Sequence, residues 1–264
     1  IPTVNFKRRR LFSVPERRMI LQATSSGTSG RVSRIGFAFG DLWCGLKMVL
    51  KIGSWRGVFS LRPAHYIVMG YKPHRGNKTA FGATLFSPAL SRTYALKYNE
   101  SGHGYEPDLE GIIRALKRFS QGRNSSGHAF GAAFPVRFMG FPSYTYFLLR
   151  QMEERGIALK LKEGSKIMLG GGWKQFYKEQ VEKEELYRLA KKVLDVDEEN
   201  IIEFFGAVEH PILYCDCERH HFHVPVYSRV LIRDVDTLEP LPMGRTGLVN
   251  LLTPMVKATP VLSV

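Results

Sequence analysis

The sequence predicts a globular protein with an α/β fold and a largely parallel sheet, for two reasons. Short apolar segments alternate with segments of helical periodicity, as they do in successive β-α-β units. The 264 residues are 44% hydrophobic and 23% charged, which is the balance of a globular protein large enough to bury a core. No apolar run approaches the ~18 residues that a membrane span needs, so a transmembrane protein is excluded.

The first half of the chain is predicted to hold two helices and three strands. Apolar residues at helical spacing predict a helix over 40–52. A second helix over 107–119 begins at Pro107 and Asp108. Short apolar segments predict strands over 57–61, 66–69 and 136–139.

The second half continues the alternation and ends in a more β-rich part. Helices are predicted over 142–155 and 175–194, and strands over 166–169, 201–205, 225–235 and 247–252. The chain begins at Ile1 and stops inside an apolar run that resembles an interrupted strand, so we expect further residues at both ends. We expect one large domain over 1–264, with a first α/β half over about 1–140 and a second half over about 141–264.

Positive charge is concentrated in the first half. Residues 1–130 hold 21 Lys and Arg against 6 Asp and Glu, whereas residues 131–264 hold 17 against 18. This asymmetry indicates either an anionic partner or a basic, solvated face. The clusters at Lys7–Arg10 and Arg17-Arg18 come without any zinc-finger, aromatic RNA-binding or basic-zipper pattern, so nucleic acid is not the expected partner.

The cysteine content bears on the compartment. The chain has three cysteines, Cys44, Cys215 and Cys217. An odd number, with two of them one residue apart, does not form a disulfide framework. We therefore expect a protein of the reducing cytoplasm.

Residues 24–31 are rich in serine, threonine and glycine and end at Arg31, with Arg34 close behind. Small residues let backbone N–H groups approach a phosphate, hydroxyls add donors, and arginines neutralise charge. The segment lacks the P-loop pattern. It is compatible with a phosphate-binding loop and also with a simple turn or linker.

Two predicted strands run into glycine. The strand over 166–169 is followed by Gly170-Gly171-Gly172, where backbone can lie against a flat or bulky ligand or make a tight turn. The strand over 201–205 is followed by Gly206 and then by Glu209, which is either an Mg²⁺ ligand or an acidic loop residue.

These motifs occur in a fixed order and carry a family resemblance. The order is Ser26-Gly27-Thr28-Ser29-Gly30, Gly170-Gly171, Phe205-Gly206-x-x-Glu209 and Pro242-x-Gly244-x-x-Gly247-Leu248. The set resembles the adenylate-forming superfamily, which includes acyl-CoA synthetases and luciferases. Three details resemble the acyl-protein synthetase branch of this superfamily, which is the fatty-acid-activating component of bacterial luminescence systems. These details are Ser25-Ser26, Gly170-Gly171-Gly172-Trp173-Lys174 and Glu209-His210. The resemblance covers about residues 5–264.

The resemblance implies the large N-terminal domain of an adenylate-forming enzyme and an ATP-dependent ligase activity. A long-chain fatty acid would react with ATP to give an acyl-adenylate, and the acyl group would pass to a protein thiol. An acyl-reductase protein would be the partner that takes the acyl group.

The resemblance also implies roles for particular residues. The loop from Ser25 to Gly30 would hold the ATP phosphates, and Glu209 would coordinate Mg²⁺. Thr28, Glu209 and Arg34 are the candidate catalytic residues. Adenine would lie against five residues of the second and third motifs, which are Gly170, Gly171, Gly172, Phe205 and Gly206.

The chain departs from the superfamily at several positions. Where the superfamily often has Pro and then Lys after the loop, this sequence has Val32, Ser33 and Arg34, and Arg34 is the candidate replacement for the lysine charge. Val208 stands where a Thr commonly precedes the Glu. We expect the ribose-binding aspartate and the small C-terminal domain with its catalytic lysine to follow Val264.

A further cluster has the composition of a zinc site. Cys215, Cys217, His221 and His223 provide four candidate ligands within nine residues. The spacing is not that of a standard zinc finger, so a metal-free strand with exposed histidines is the alternative.

Three other functions stay open at this point. The chain could be an acyl- or aryl-CoA ligase of the phenylacetate-CoA ligase type. The basic first half is compatible with a module that binds nucleic acid or an acidic protein. A degenerate enzyme kept as a docking subunit is compatible with Val32 and Val208.

Overall fold

The computed structural model describes residues 3–25, 32–71, 84, 86–98, 105–124, 126–259 and 262–263. The α-helices are α1 Val4–Arg8, α2 Phe39–Trp55, α3 Leu109–Ser120, α4 Pro142–Glu154 and α5 Lys183–Leu194. Short 3-10 helices occupy Glu16–Arg18, Lys174–Glu179 and Glu198–Asn200. Within the described ranges, no helix has both the length and the apolar character to cross a membrane.

The strands are numbered in chain order. They are β1 Leu21–Thr24, β2 Arg34–Phe37, β3 Ala64–Tyr71, β4 Ala89–Tyr98, β5 Tyr105–Pro107, β6 Val136–Gly140, β7 Lys166–Gly170, β8 Ile201–Ala207, β9 His210–Asp216, β10 Phe222–His223, β11 Arg229–Arg233, β12 Leu248–Leu252 and β13 Leu262–Ser263.

Contacts along the chain divide it into two compact units. The first unit comprises Ile1–Ile52, Phe205–Cys215 and Phe222–Val264. The second comprises Gly53–Phe204 and Asp216–His221. The first unit is therefore assembled from three separate stretches of chain, whereas almost all of the second is continuous.

The second unit is built on a mainly parallel sheet. Its strands lie in the order β8-β7-β6-β3-β4-β5, and every pairing is parallel except that of β4 with β5. Alternate side chains such as Phe138 and Ile167 are fully buried together with Leu116 of α3, Leu148 of α4 and Leu189 of α5. The carboxyl ends of β6 and β7 therefore meet at one edge of the sheet, which is where such folds bind ligands.

The first unit holds smaller antiparallel pairings. β1 pairs with β2, β11 with β12, and β12 with β13. The carboxylate of Asp41 on α2 accepts backbone hydrogen bonds from Lys257 at 2.9 Å and Ala258 at 3.3 Å. The hydroxyl of Thr259 accepts from the Gly36 N–H and donates to the Gly36 carbonyl, both at 3.0 Å. These bonds connect the beginning of the unit to its last described stretch before β13.

The predicted fold class is confirmed, and most predicted elements are present near their predicted bounds. Two predictions are wrong. Residues 57–61 form no strand, because the chain turns there to leave α2 and the Val58 N–H donates to the Gly53 carbonyl at 2.7 Å. The predicted helix over 175–194 begins only at Lys183, because residues 180–182 break it and Glu182 has an extended backbone.

Candidate active site

The predicted phosphate loop lies in the connection of the β1–β2 hairpin. The two strands are antiparallel, with Thr24 opposite Arg34. Ser26, Gly27, Thr28, Ser29, Gly30 and Arg31 lie outside the described residues. Their phosphate-binding role therefore stays a prediction, and Ser25 is the one loop residue of the prediction whose contacts can be described.

Ser25 and Ser33 are joined at the base of this connection. The Ser25 N–H donates to the Ser33 carbonyl at 3.1 Å, and the Ser33 N–H donates to the Ser25 hydroxyl oxygen at 2.9 Å. These two bonds extend the hairpin by one pair beyond the strands. The two points where the chain enters and leaves the serine- and glycine-rich segment are thereby fixed.

Glu209 lies at the tip of a second hairpin, formed by β8 and β9, and this tip belongs to the first unit. β8 ends at Ala207 and β9 begins at His210, so Val208 and Glu209 form a two-residue turn. The half-buried Glu209 carboxylate accepts a hydrogen bond from the hydroxyl of Ser33. Ser33 has 0% exposure. Because these two residues are 176 positions apart, the fold has brought the flank of one predicted motif onto the carboxylate of another.

A chain of polar side chains follows the turn on the β9 side. The Nε2 atom of His210 is 2.8 Å from the Tyr214 hydroxyl, which is 2.6 Å from the Ser228 hydroxyl. Ser228 in turn donates to the Leu252 carbonyl at 3.1 Å. Burial lowers the pKa of His210 to about 4 and raises the pKa of Tyr214. Both side chains are therefore neutral at pH 7, and they hold the turn without adding charge beside Glu209.

Phe205 and Gly206 present an open surface before the turn. The Phe205 side chain is 47% exposed, and its ring centroid is 5.9 Å from that of Tyr214. A Cβ added at Gly206 would meet the Ile212 carbonyl oxygen at 3.5 Å, an ordinary contact. Packing does not require glycine at this position, so the bare backbone is available for a flat group to lie against.

In the second unit, the three glycines leave the carboxyl end of β7. Gly170 ends the strand and pairs with Phe204 of β8. Gly171 and Gly172 have φ values of 86° and 66°, in the left-handed region that side chains disfavour. Gly171 and Gly172 are thus needed for the path of the backbone, which explains this part of the motif without any ligand.

Comparison with known proteins decides the family. The sequence model described as "Acyl-protein synthetase, LuxE" matches residues 1–264. This chain belongs to the acyl-protein synthetase family. Long-chain-fatty-acid–luciferin-component ligases are 26% identical to it over 269 residues in Aliivibrio fischeri and over 259 residues in Vibrio harveyi. The alignments cover 98% and 94% of this chain but only 65% and 62% of those two relatives.

Solved structures of adenylate-forming ligases share the fold of this acyl-protein synthetase family member. A long-chain-fatty-acid-CoA ligase from Archaeoglobus fulgidus is 12% identical, with a TM-score of 0.57 over 92% of this chain and 43% of the ligase. A 2-hydroxyisobutyryl-CoA ligase in an open conformation is 14% identical, with a TM-score of 0.59 over 94% of this chain and 48% of the ligase. At these identities the similarity concerns the fold alone.

The candidate site residues of this chain fit a magnesium ion better than a zinc ion. Mg²⁺ is commonly held by one or two carboxylates together with substrate phosphates, and Glu209 is a half-buried carboxylate that a hydroxyl keeps in place. For zinc, the described residues contain no group of three or more His, Cys, Asp or Glu side chains placed to hold a metal ion.

The predicted zinc cluster is organised in another way. Cys215 is buried on β9, while His221 and His223 are exposed. All three cysteines are among the described residues, and no disulfide joins them. The Cys217 N–H donates to the His221 carbonyl across a tight turn, and it is His220, not a predicted ligand, whose Nδ1 lies 2.8 Å from the buried Asp216 carboxylate. The structure therefore does not support the zinc prediction.

Ser33 is the site residue that was not predicted. Arg34, the predicted replacement for the superfamily lysine, begins β2 with an exposed side chain, and its role stays a prediction. The side chain that contacts Glu209 is that of its neighbour Ser33. One sequence feature pointed to this place, since Ser33 lies in the stretch where the chain departs from the superfamily pattern.

Proposed function

We propose that this chain is the nucleotide- and acyl-binding body of an ATP-dependent enzyme that activates a long-chain fatty acid and transfers it to a protein thiol. The observation that carries the proposal is the hydrogen bond from Ser33 to Glu209, which connects the flank of the phosphate-loop segment to the candidate magnesium ligand. The family and the names of the two bacterial relatives support the choice of a fatty acid.

The proposed reaction has two steps. A carboxylate oxygen of the fatty acid attacks the α-phosphorus of ATP, the bond between the α-phosphorus and the bridging oxygen breaks, and pyrophosphate leaves with the electron pair. A thiolate then attacks the acyl carbon, and AMP leaves. Catalysis of this kind consists mainly of positioning and of neutralising the charge that develops on the phosphates.

The roles of the residues follow from the resemblance and from the contacts of Glu209. Ser25 to Gly30 would bind the phosphates, and Gly170 to Gly172 with Phe205 and Gly206 would contact adenine. Mg²⁺, when bound, supplies positive charge to the phosphates. Ser33 keeps one oxygen of Glu209 hydrogen-bonded, so the carboxylate loses little rotational freedom when it takes up the ion. Zinc is not part of this proposal.

The acceptor of the acyl group is proposed from the family resemblance. A protein cysteine is the acceptor, and an acyl-reductase protein is the partner. Coenzyme A is the competing acceptor, as in an acyl-CoA ligase. Incubation with labelled fatty acid and ATP separates the two, because label that stays with denatured protein and is released by hydroxylamine indicates a protein thioester.

Location in the cytoplasm and the division of the chain near residue 140 also stay predictions.

Substitution of Glu209 tests the adenylation site. We expect Glu209→Gln in the purified protein to lower fatty-acid-dependent exchange of pyrophosphate into ATP by about 100-fold, because it removes one charged ligand from a charge-neutralising site. The matched control is Glu218→Gln, which removes the same charge from an exposed turn residue and leaves exchange unchanged. Exchange by Glu209→Gln within about threefold of the unmodified protein would contradict the proposal.

A further inference from the structure

One cleft in the first unit contains, besides Arg34, basic residues to which no role has been assigned. It has a volume of about 380 Å³ and is lined by Phe6, Lys7, Arg8, Arg9, Arg10, Val32 and Arg34. Two basic elements that are separated in the sequence, the cluster Lys7–Arg10 at the end of α1 and the first residue of β2, therefore share one concave surface. This surface adjoins Val32 and Arg34, which directly flank the Ser33 that contacts Glu209.

The backbone that carries the cluster is held in place on both sides. Phe6, in α1, has 2% exposure and lies in the core, and α1 packs against β2. Beyond the cluster, the Ser13 N–H donates to the Ala258 carbonyl at 2.9 Å. The arginines therefore project from an anchored segment, and a ligand that binds them does not have to order a free chain terminus.

The cleft carries more positive charge than the described carboxylates near it neutralise. Arg8, Arg9 and Arg34 are exposed, and among the described residues none of them has a carboxylate partner. Arg10 is 3.0 Å from Glu16, but both side chains are more than half exposed. This ion pair therefore lowers the positive electrostatic potential of the cleft only slightly. Mutual repulsion among guanidinium groups is relieved when an anion binds between them, and arginine binds phosphate oxygens in a bidentate manner.

We propose that this cleft, formed by Arg8, Arg9 and Arg34, binds inorganic pyrophosphate beside the adenylation site. The proposal rests on the proposed function, since pyrophosphate is the leaving group of that reaction. The ligand chemistry it requires is a diphosphate with several unesterified oxygens, which two or three guanidinium groups can grip together. The same chemistry is present in the β- and γ-phosphates of ATP, and the measurements below distinguish these two sources.

The lining disfavours a nucleic acid as the occupant. Phe6 is the one aromatic residue of the cleft, and it is buried, so no exposed ring is available there on which a base could stack. A cleft of about 380 Å³ suits a small anion better than a strand that tracks along a surface.

Calorimetric titration of the purified protein with inorganic pyrophosphate tests the cleft directly. We expect Arg8→Ala/Arg9→Ala to raise the pyrophosphate Kd by about tenfold, because two charge-assisted contacts are lost. The matched control is Arg17→Ala/Arg18→Ala, which removes two charges from exposed positions that do not line the cleft. We expect this control to change the Kd by no more than about twofold at 0.15 M salt, where exposed charges are screened.

Kinetic measurements identify the source of the diphosphate. A rise of about tenfold in the inhibition constant of pyrophosphate, with the KM for ATP unchanged in Arg8→Ala/Arg9→Ala, supports the leaving group as the ligand. A parallel rise in the KM for ATP shows instead that the cleft holds the bound triphosphate, which overturns the proposal for free pyrophosphate.

The remaining outcomes are also decisive. An unchanged pyrophosphate Kd in Arg8→Ala/Arg9→Ala overturns the proposal, as does loss of binding to a random DNA duplex with the pyrophosphate Kd unaltered. If the unmodified protein shows no adenylation but still binds pyrophosphate through Arg8 and Arg9, the cleft is supported and the proposed function fails. A normal unfolding midpoint for both double variants shows that the comparison concerns folded protein.

Discussion

The sheet of the second unit and the two hairpins of the first unit are stabilised by different kinds of contact. Around the sheet, side chains such as Phe138 of β6 and Leu148 of α4 are fully buried in an apolar core. In the hairpins, the important contacts are hydrogen bonds between polar side chains, from Ser33 to Glu209 and from His210 through Tyr214 to Ser228. Apolar packing supplies stability wherever shapes fit, whereas directed hydrogen bonds fix particular atoms in place. The candidate active-site residues are held by contacts of this second kind.

Removing a core side chain in the sheet is expected to have the largest effect. Phe138→Ala should lower the free energy of unfolding by about 3–5 kcal/mol, because it removes a fully buried ring and leaves a cavity. Urea unfolding measures this loss. The matched control is Phe205→Ala in the first unit, whose ring is 47% exposed; it should cost far less stability and should instead raise the KM for ATP. Equal losses of stability in the two variants would break the comparison.

Removing the hydroxyl of Ser33 is expected to have a smaller effect, and on activity more than on stability. Ser33→Ala should lower pyrophosphate exchange by about tenfold and raise the Mg²⁺ concentration needed for half-maximal rate. The reason is that the Glu209 carboxylate loses a hydrogen bond of the charge-assisted kind, worth about 1.5–3 kcal/mol. Titration of Mg²⁺ in the exchange assay checks both effects.

Ser165 provides the matched control for Ser33. It is also a buried serine, but it belongs to the second unit, where its hydroxyl accepts from the Val136 N–H and donates to the Lys162 carbonyl. Ser165→Ala should lower the free energy of unfolding by about 1 kcal/mol and leave the Mg²⁺ requirement unchanged. A shifted Mg²⁺ requirement in this variant would show that the effect of Ser33→Ala is general destabilisation.

The last comparison concerns pH, and here the two units behave alike. Burial lowers the pKa of His65 in the second unit and of His210 in the first unit to about 4, from 6.5. Between these two values the unfolded chain binds protons that the folded protein does not, so stability falls as pH drops from about 6.5 to about 4. Each histidine contributes up to about 1.4 kcal/mol per pH unit to the slope.

The slope of unfolding free energy against pH measures this effect. We expect His65→Asn and His210→Asn each to flatten it between pH 4 and 6.5, whatever their effect on stability at pH 7. An unchanged slope in His210→Asn would show that folding does not lower the pKa of His210, contrary to this expectation.

The same contrast explains how much of the structure could be predicted from the sequence. The apolar stripe of α3 and the short apolar runs of β6 and β7 repeat at the spacing of their elements, so packing is visible in the pattern. The amphipathic pattern of 175–194 continues across the break before Lys183, because periodicity reports which face is buried and not whether the backbone is continuous. β9 was missed because it begins with His-Pro and ends in the Cys/His cluster, whose composition suggested a metal site.

The candidate site was predictable only in part. The motifs named Glu209 and the loop that follows Ser25, because those residue types in that order resemble a family. Nothing in the pattern pairs Ser33 with Glu209, since a hydrogen bond between residues 176 positions apart leaves no periodicity. The same holds for the meeting of Arg34 with the Arg8 and Arg9 cluster.

The hydrogen bonds between Gly36 and Thr259 have a consequence for the order in which the two units fold. A nearly continuous stretch from Gly53 to Phe204 supplies most of the second unit, so its core can form while later residues are still being synthesised. The hairpin that carries Ser25 and Ser33 is synthesised before this stretch, whereas its partners Glu209 and Thr259 are synthesised after it. Contacts of such long sequence separation form slowly. The first unit is therefore begun before the continuous stretch of the second unit is synthesised, and it is completed only after that stretch.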